Sequence, residues 1–134
     1  MNKIERFEDI VAWQKARVLT KEIYASTRVG RFTKDFGLSG QIQRASVSSM
    51  ANIAEGFERG GDREFVQFLS NSKGSCGEVK SHLYVALDQN YISPVSFDQL
   101  YAKADEVSRL VGGFMVYLQK SQVGGHKYKG RERL

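Results

Sequence analysis

Few residues in this 134-residue chain have the type and spacing needed for chemistry. Cys76 is the one cysteine, and no histidine is placed in the sequence to activate it as a nucleophile. It falls within an apolar helical stripe, where a thiol behaves as a small hydrophobe. Metal chemistry in a helical bundle needs Glu-x-x-His pairs on two helices. The only histidines are His82 and His126, and Glu78 stands four residues from His82 rather than three. Gly37-Leu38-Ser39-Gly40 is the nearest approach to a phosphate loop, but it lacks both the preceding strand and the Lys-Ser/Thr pair. No catalytic residue, metal or cofactor is therefore expected.

Two polar sets remain. Gln41, Arg44, Ser48, Asn52 and Glu55 step by three and four, so they share one ridge of a helix beside its apolar stripe. A charge buried there is costly unless paired, so Arg44 is expected to pair with Glu55 or Glu78. Such a polar network (Gln41, Arg44, Asn52, Glu55, Glu78) would fix helix register or a subunit contact. The second set is the C-terminal run, where Lys127, Lys129, Arg131 and Arg133 face only Glu132. That segment holds +3 of the formal net charge of +5, and the rest of the chain is nearly neutral. With a pI near 9.4 the chain favours polyanions. The tail cations, with Tyr128 free to stack on a base, are the predicted phosphate contacts for RNA or DNA. A solvated basic tail with no ligand is the bland alternative.

Four helices must position these residues. Ile10, Trp13, Ala16, Leu19, Ile23 and Thr27 form one stripe of a helix from about Glu8 to Arg28. A second helix, from about Asp35 to Arg59, turns Leu38, Ile42, Ala45, Ser49, Ile53 and Phe57 inward. Small residues line it, which lets neighbouring backbones come close, and Gly60-Gly61 ends it. Asp62 is the expected N-cap of a third helix that carries Phe65, Phe68, Leu69, Ser72, Cys76, Val79, Leu83 and Ala86 to about Gln89. Gly74 and Gly77 lie inside it at a cost of ~1 kcal/mol each, which predicts close helix–helix contact there. Ser96 to Gln99 has the form of a capping box for a fourth helix with Leu100, Ala104, Val107, Leu110 or Val111, Phe114 and Leu118 inward.

Short links between helices of this length leave an antiparallel up-down-up-down four-helix bundle as the economical fold. The predicted architecture is all-α, with the bundle over residues 1–123 and a basic tail over 124–134. An ordinary globular balance, 41% hydrophobic and 26% charged, supports a packed core without staples. A single cysteine fits a reducing compartment. No apolar run is long enough for a membrane, and the first residues do not read as a signal peptide. The expected compartment is the cytoplasm.

Four stretches, Phe7 to Ala16 (FEDIVAWQKA), Gly37 to Ala45 (GLSGQIQRA), Ser48 to Gly56 (SSMANIAEG) and Gly74 to Glu78 (GSCGE), carry a resemblance. In this order and at this spacing, over roughly residues 7–120, the chain resembles the four-helix bundle family first known from intervening sequences of bacterial 23S rRNA genes. The accessory protein of diversity-generating retroelements looks like a relative. The resemblance implies a homo-oligomer, typically a barrel-like pentamer, with no assigned enzymatic activity and a link to RNA or DNA. The family's signature falls here on Gln41, Arg44, Asn52, Glu55, Gly56, Gly74, Ser75 and Glu78. Met50 stands where the family often has proline, and Cys76 where it usually has a larger aliphatic residue.

Two functions follow as expectations. One is a ring-forming scaffold that presents basic surface to nucleic acid or to a nucleic-acid-processing protein. The other is a structural or protein-binding oligomer, with Gly112-Gly113 suited to close subunit packing. An enzymatic reading would need turnover that depends on Arg44, Glu55 or Glu78.

Overall fold

In the computed structural model, which describes residues 3–123, the apolar stripes become four helices: α1 (Val11–Thr27), α2 (Phe36–Arg59), α3 (Asp62–Asp88) and α4 (Pro94–Val123). Short 3-10 helices precede α1 (Phe7–Asp9) and α2 (Gly30–Lys34). Each long helix packs on the next in sequence, and α1 closes on α4. Contacts of opposite running order show that neighbours are antiparallel. Ser48 faces Ser75 while Gly56 faces Phe65 and Phe68. Lys73 reaches Ser108 while Lys80 reaches Asp105.

Most of the core is the one that periodicity predicts, but Trp13 and Phe57, expected inward, are only half-buried, and Phe32 and Phe97 are buried outside the predicted stripes. Ala16, Leu19 and Ile23 of α1, Ile42 and Ile53 of α2, Phe65, Leu69, Cys76, Val79, Leu83 and Ala86 of α3, and Ala104, Val107, Phe114 and Leu118 of α4 are buried. Of the two candidates in α4 it is Val111 that is buried, with Leu110 half-exposed. Burying each large aliphatic or Phe contributes roughly 1.5–3 kcal/mol, so this stripe dominates the fold's stability. The small residues of α2 act as expected. Ser72 Oγ donates to the Ser49 carbonyl at 2.6 Å, and Thr20 Oγ1 lies 3.0 Å from the Ser46 carbonyl. Such bonds reach a helix backbone only where no larger side chain stands between.

Three local expectations are corrected. Asp62 is the first residue of α3, with Gly61 in the cap position. The fourth helix is capped by Ser93, whose Oγ accepts from the Ser96 N–H at 3.1 Å, so Ser96 lies inside the helix and is not its cap. Pro94 explains the earlier start: its fixed φ suits the first helical position, where the missing N–H has no partner to lose. Among the described residues the glycines Gly74 and Gly77 make no close helix contact, since a Cβ added at either would meet nothing within 4 Å. At the second helix Asp35 caps as expected, accepting from the Leu38 N–H at 3.0 Å.

Candidate functional site

The polar ridge is positioned by the α2–α3 contact. Ser75 Oγ lies 2.9 Å from Ser48 Oγ and 3.1 Å from the Asn71 carbonyl, at the seam of the two helices. Asn52 Nδ2 donates to the Ser48 carbonyl at 2.9 Å and lies 3.0 Å from Ser48 Oγ. Ser48, Asn52 and Ser75 therefore form a small hydrogen-bonded patch that fixes the register. In that antiparallel register Arg44, one turn before Ser48, stands level with Glu78, one turn after Ser75. Gln41, Arg44 and Glu55 on α2 and Gly74 and Glu78 on α3 are all exposed beside this seam.

The expected pairing of Arg44 is not made within the chain. Glu55 is held instead by Arg59, one turn on, at 2.9 Å, and Arg59 also approaches Glu64 at 3.9 Å. The two carboxylates hold the Arg59 proton more firmly than usual, chiefly through the hydrogen bond that Arg59 donates to Glu55. Arg44 folds back along its own helix, so a Cβ added at Gly40 would stand 3.1 Å from Nη1. Among the described residues neither Arg44 nor Glu78 has an ion-pair partner within 4.0 Å. The physical reason is distance for Glu55, which stands eleven residues and so about 16 Å along the same helix from Arg44, and exposure for Glu78, since a surface ion pair gains little in water. Of the predicted network, the structure joins Asn52 to Ser48, which in turn meets Ser75, and leaves Gln41, Arg44 and Glu78 facing solvent.

The remaining candidates separate cleanly. Lys127, Tyr128, Lys129, Arg131 and Arg133 lie outside the described residues. Cys76 is fully buried, and burial pushes its thiol up to about 11 against the opposing pull of Lys80 and Lys73. At neutral pH it is therefore a thiol, not a thiolate. Glu78 and His82 lie one turn apart on α3, and the described residues bring no group of three metal-ligating side chains together.

The family described as 23S rRNA-intervening sequence protein matches residues 8–113. The chain belongs to that family. A crystal structure of a protein of unknown function from the S23 ribosomal protein family of Bacteroides thetaiotaomicron VPI-5482 superimposes with a TM-score of 0.71. It is 20% identical, and the match covers 78% of this chain and 97% of that one. At that identity the likeness is one of fold. No curated protein matches the chain.

On this family fold the signature residues divide by task. Gly56 is buried and admits a neighbour's ring, Ser75 crosses the α2–α3 seam to Ser48, and Asn52 braces Ser48 from its own helix. Gln41, Arg44, Gly74 and Glu78 are exposed, with no ion pair among the described residues for Arg44 or Glu78. The bond between Ser48 and Ser75 was missed in the sequence. Its signal was Ser75's place three residues after the inward Ser72, at the edge of the stripe where it meets the next helix.

Proposed function

We infer that this chain is a non-enzymatic homo-oligomeric scaffold, a pentamer by family resemblance, that works on nucleic acid or beside a nucleic-acid-processing protein in the cytoplasm. The observation that carries the reading is the exposed α2–α3 ridge. There a cation, Arg44, stands level with an anion, Glu78, and among the described residues neither is ion-paired and none fills the space above Gly74, which interrupts a long helix. A mid-helix glycine weakens the helix by about 1 kcal/mol, a cost that a second chain approaching the backbone would offset. In a ring, Arg44 of one copy would meet Glu78 of the next. The nucleic-acid half of the reading is supported by the basic charge and by the family description, which speaks of 23S rRNA. Among the described residues no helix is long and apolar enough to cross a membrane. The buried, protonated Cys76 supports the non-enzymatic half.

The test is the mass in solution by light scattering for the full chain, Arg44→Glu, Glu78→Arg and the two substitutions combined. Both single reversals should lower the mass, and the combined variant should restore it. A monomeric wild-type chain, or an oligomer indifferent to all three, removes the ridge from the assembly. A gel-shift titration of mixed RNA and DNA at two salt concentrations tests the other half, because phosphate contacts weaken steeply with salt.

A further inference from the structure

Charge in this chain is concentrated in one place besides the tail. Residues 11–34 hold six cations, Lys15, Arg17, Lys21, Arg28, Arg31 and Lys34, against the single acid Glu22. That stretch alone matches the whole chain's net charge of +5, and all the other residues together balance. Folding does not neutralise it. Glu22 turns toward α4 and pairs with Lys103 at 3.4 Å. All six cations are exposed, and among the described residues none lies within 4.0 Å of a carboxylate oxygen. Elsewhere on the bundle Arg59, Lys80, Lys103 and Arg109 are ion-paired, whereas Arg44, Arg63 and Lys73, unpaired among the described residues, stand among acids in their own helices or at their seams.

The geometry of these cations is linear. At the helical period Arg17, Lys21 and Arg28 fall within about 40° of one another on the outward side of α1, separated by rises of about 6 Å and about 10 Å. Two of them lie over aromatic rings: Arg17 is 5.9 Å from the Trp13 ring centre and Arg28 is 5.6 Å from that of Tyr24. Trp13, Gln14, Arg17, Val18 and Lys21 line an open groove beside the strip. At the end of α1 the chain passes through Arg31 and Lys34 to Phe36, an aromatic side chain that is 82% exposed. Arg31 donates to the Gln89 carbonyl at 2.6 Å and lies over the Tyr91 ring. Asp35, the acid nearest this end, already accepts from the Leu38 N–H and from the Tyr91 hydroxyl, both at 3.0 Å. Lys34, Phe36 and Tyr91 open onto a common hollow.

We propose that the outward strip of α1 and its continuation through Lys34 to Phe36 form a track for single-stranded nucleic acid, with Arg17, Lys21 and Arg28 on phosphates and Phe36 stacked on a base. The assignment rests on the nucleic-acid reading above and moves its contact from the tail to the folded body. A row of unpaired cations along one helix follows a phosphate backbone, whereas a protein partner with mixed charges would find no acceptor for its own cations here. An exposed ring eight residues past the end of the row, in the hollow it shares with Lys34, suits unstacked bases, which a duplex does not offer. Guanidinium groups held over rings keep their charge and lose part of their freedom before binding, which lowers the ordering cost.

The experiment is fluorescence anisotropy of the full chain with a labelled single-stranded RNA of mixed sequence, and with a duplex of the same sequence, over a range of salt. Three proteins are compared: wild type, Arg17→Gln/Lys21→Gln/Arg28→Gln, and the equal charge change made elsewhere, Lys3→Gln/Arg63→Gln/Lys120→Gln. The strip variant should bind at least about tenfold more weakly, and its slope of log affinity on log salt should fall by about 2, from about 0.7 per single-strand phosphate contact. The control variant should lose much less. Phe36→Ser should weaken single-strand binding by roughly tenfold and leave the salt slope unchanged, because stacking releases no counterions. If the strip variant does not keep the wild-type circular dichroism and mass, Lys21→Gln/Lys34→Gln replaces it, with a loss of slope of about 1.4 expected. Wild-type binding that survives the strip substitutions, or that falls equally in the control, overturns the track and leaves the nucleic-acid reading standing. Tighter binding of the duplex than of the single strand also overturns it. No binding by the wild type at low salt overturns that reading itself, and the track with it.

Discussion

Gly56 of α2 lies so close to Phe65 of α3 that a Cβ at position 56 would stand 2.8 Å from the Phe65 Cδ1 and 2.8 Å from the Cβ of Phe68. Neither neighbour is free to yield. Phe65 is fully buried against Phe57 and Phe114, and a Cβ moves only with its backbone. The glycine thus sets how near the two helices come at this end of the bundle. Gly56→Ala is expected to destabilise the chain by about 1–3 kcal/mol despite the better helix propensity of alanine. Urea denaturation measures this directly. An alanine variant as stable as wild type would show that the α2–α3 spacing is not set here.

Gly74 presents the opposite case. Among the described residues nothing lies within 4 Å of a Cβ added there, so alanine is free to add up to about 1 kcal/mol of helix stability within the bundle. Gly77, equally open but on the side of α3 away from the α2 seam, is the matched control. If the ridge is a subunit contact, Gly74→Ala should lower the assembled mass, whereas Gly77→Ala should leave it unchanged and raise the unfolding midpoint. Light scattering and denaturation of both variants decide the point, and identical behaviour of the two would place Gly74 outside any contact.

The contrast between these glycines shows how much the sequence contains. Inward stripes were legible because a 3.6-residue period is a property of one helix, and every large residue it assigned to the α3 stripe is buried except Phe68, which is half-buried. Which glycine meets a neighbour is a property of two helices at once. The spacing pointed to Gly74 and Gly77, and the contact belongs to Gly56. The Arg44 pairing failed for a related reason. Sequence spacing placed cation and acid on one ridge, but Arg59 stood nearer to Glu55 along the same helix. Ser96 read as the cap of the fourth helix, and the structure moves the cap to Ser93 because Pro94 suits the first helical position. Charge was misread because only the tail was counted: residues 11–34 carry an excess of +5 in the sequence itself, and the fold adds that their cations are exposed and, among the described residues, unpaired.

Cys76 is fully buried, and its thiol is pushed up to about 11 by burial. An accessible thiol with an ordinary pKa reacts readily with an aromatic disulfide reagent at pH 8, because part of it is thiolate. Cys76 should react only as fast as the bundle opens, and should become fully reactive in urea above the unfolding midpoint. Rapid reaction of the native protein at pH 8 would contradict both the burial and the raised pKa. Iodoacetamide labelling followed by mass measurement gives an independent readout.

Tyr91 ties the end of α3 to the start of α2. Its hydroxyl donates to Asp35 Oδ2 at 3.0 Å while its ring stacks on the buried Phe32 at 5.3 Å. The hydrogen bond to Asp35, with burial and the carboxylate's charge adding to it, raises the Tyr91 proton above its ordinary value of 10.0. A folded pKa above the unfolded one means that the folded state keeps the proton longer. The stability this contributes is present in full below pH 10 and is lost as pH rises through the folded value. Tyr91→Phe keeps the stacking ring and removes the hydroxyl. The gap in unfolding free energy between wild type and Tyr91→Phe should therefore be constant from pH 7 to about 9 and shrink above about pH 10. Denaturation midpoints at pH 8 and pH 11 measure it. A gap that stays constant across that range would mean that the Asp35 contact does not hold the phenolic proton. Asp105 provides the acid-side counterpart: the hydrogen bond from Lys80 lowers its pKa, so its contribution is present above its ordinary range and is lost as pH falls through the folded value. Lys80→Met should flatten that acid limb and leave the alkaline one unchanged, which separates the two titrations in one pair of variants.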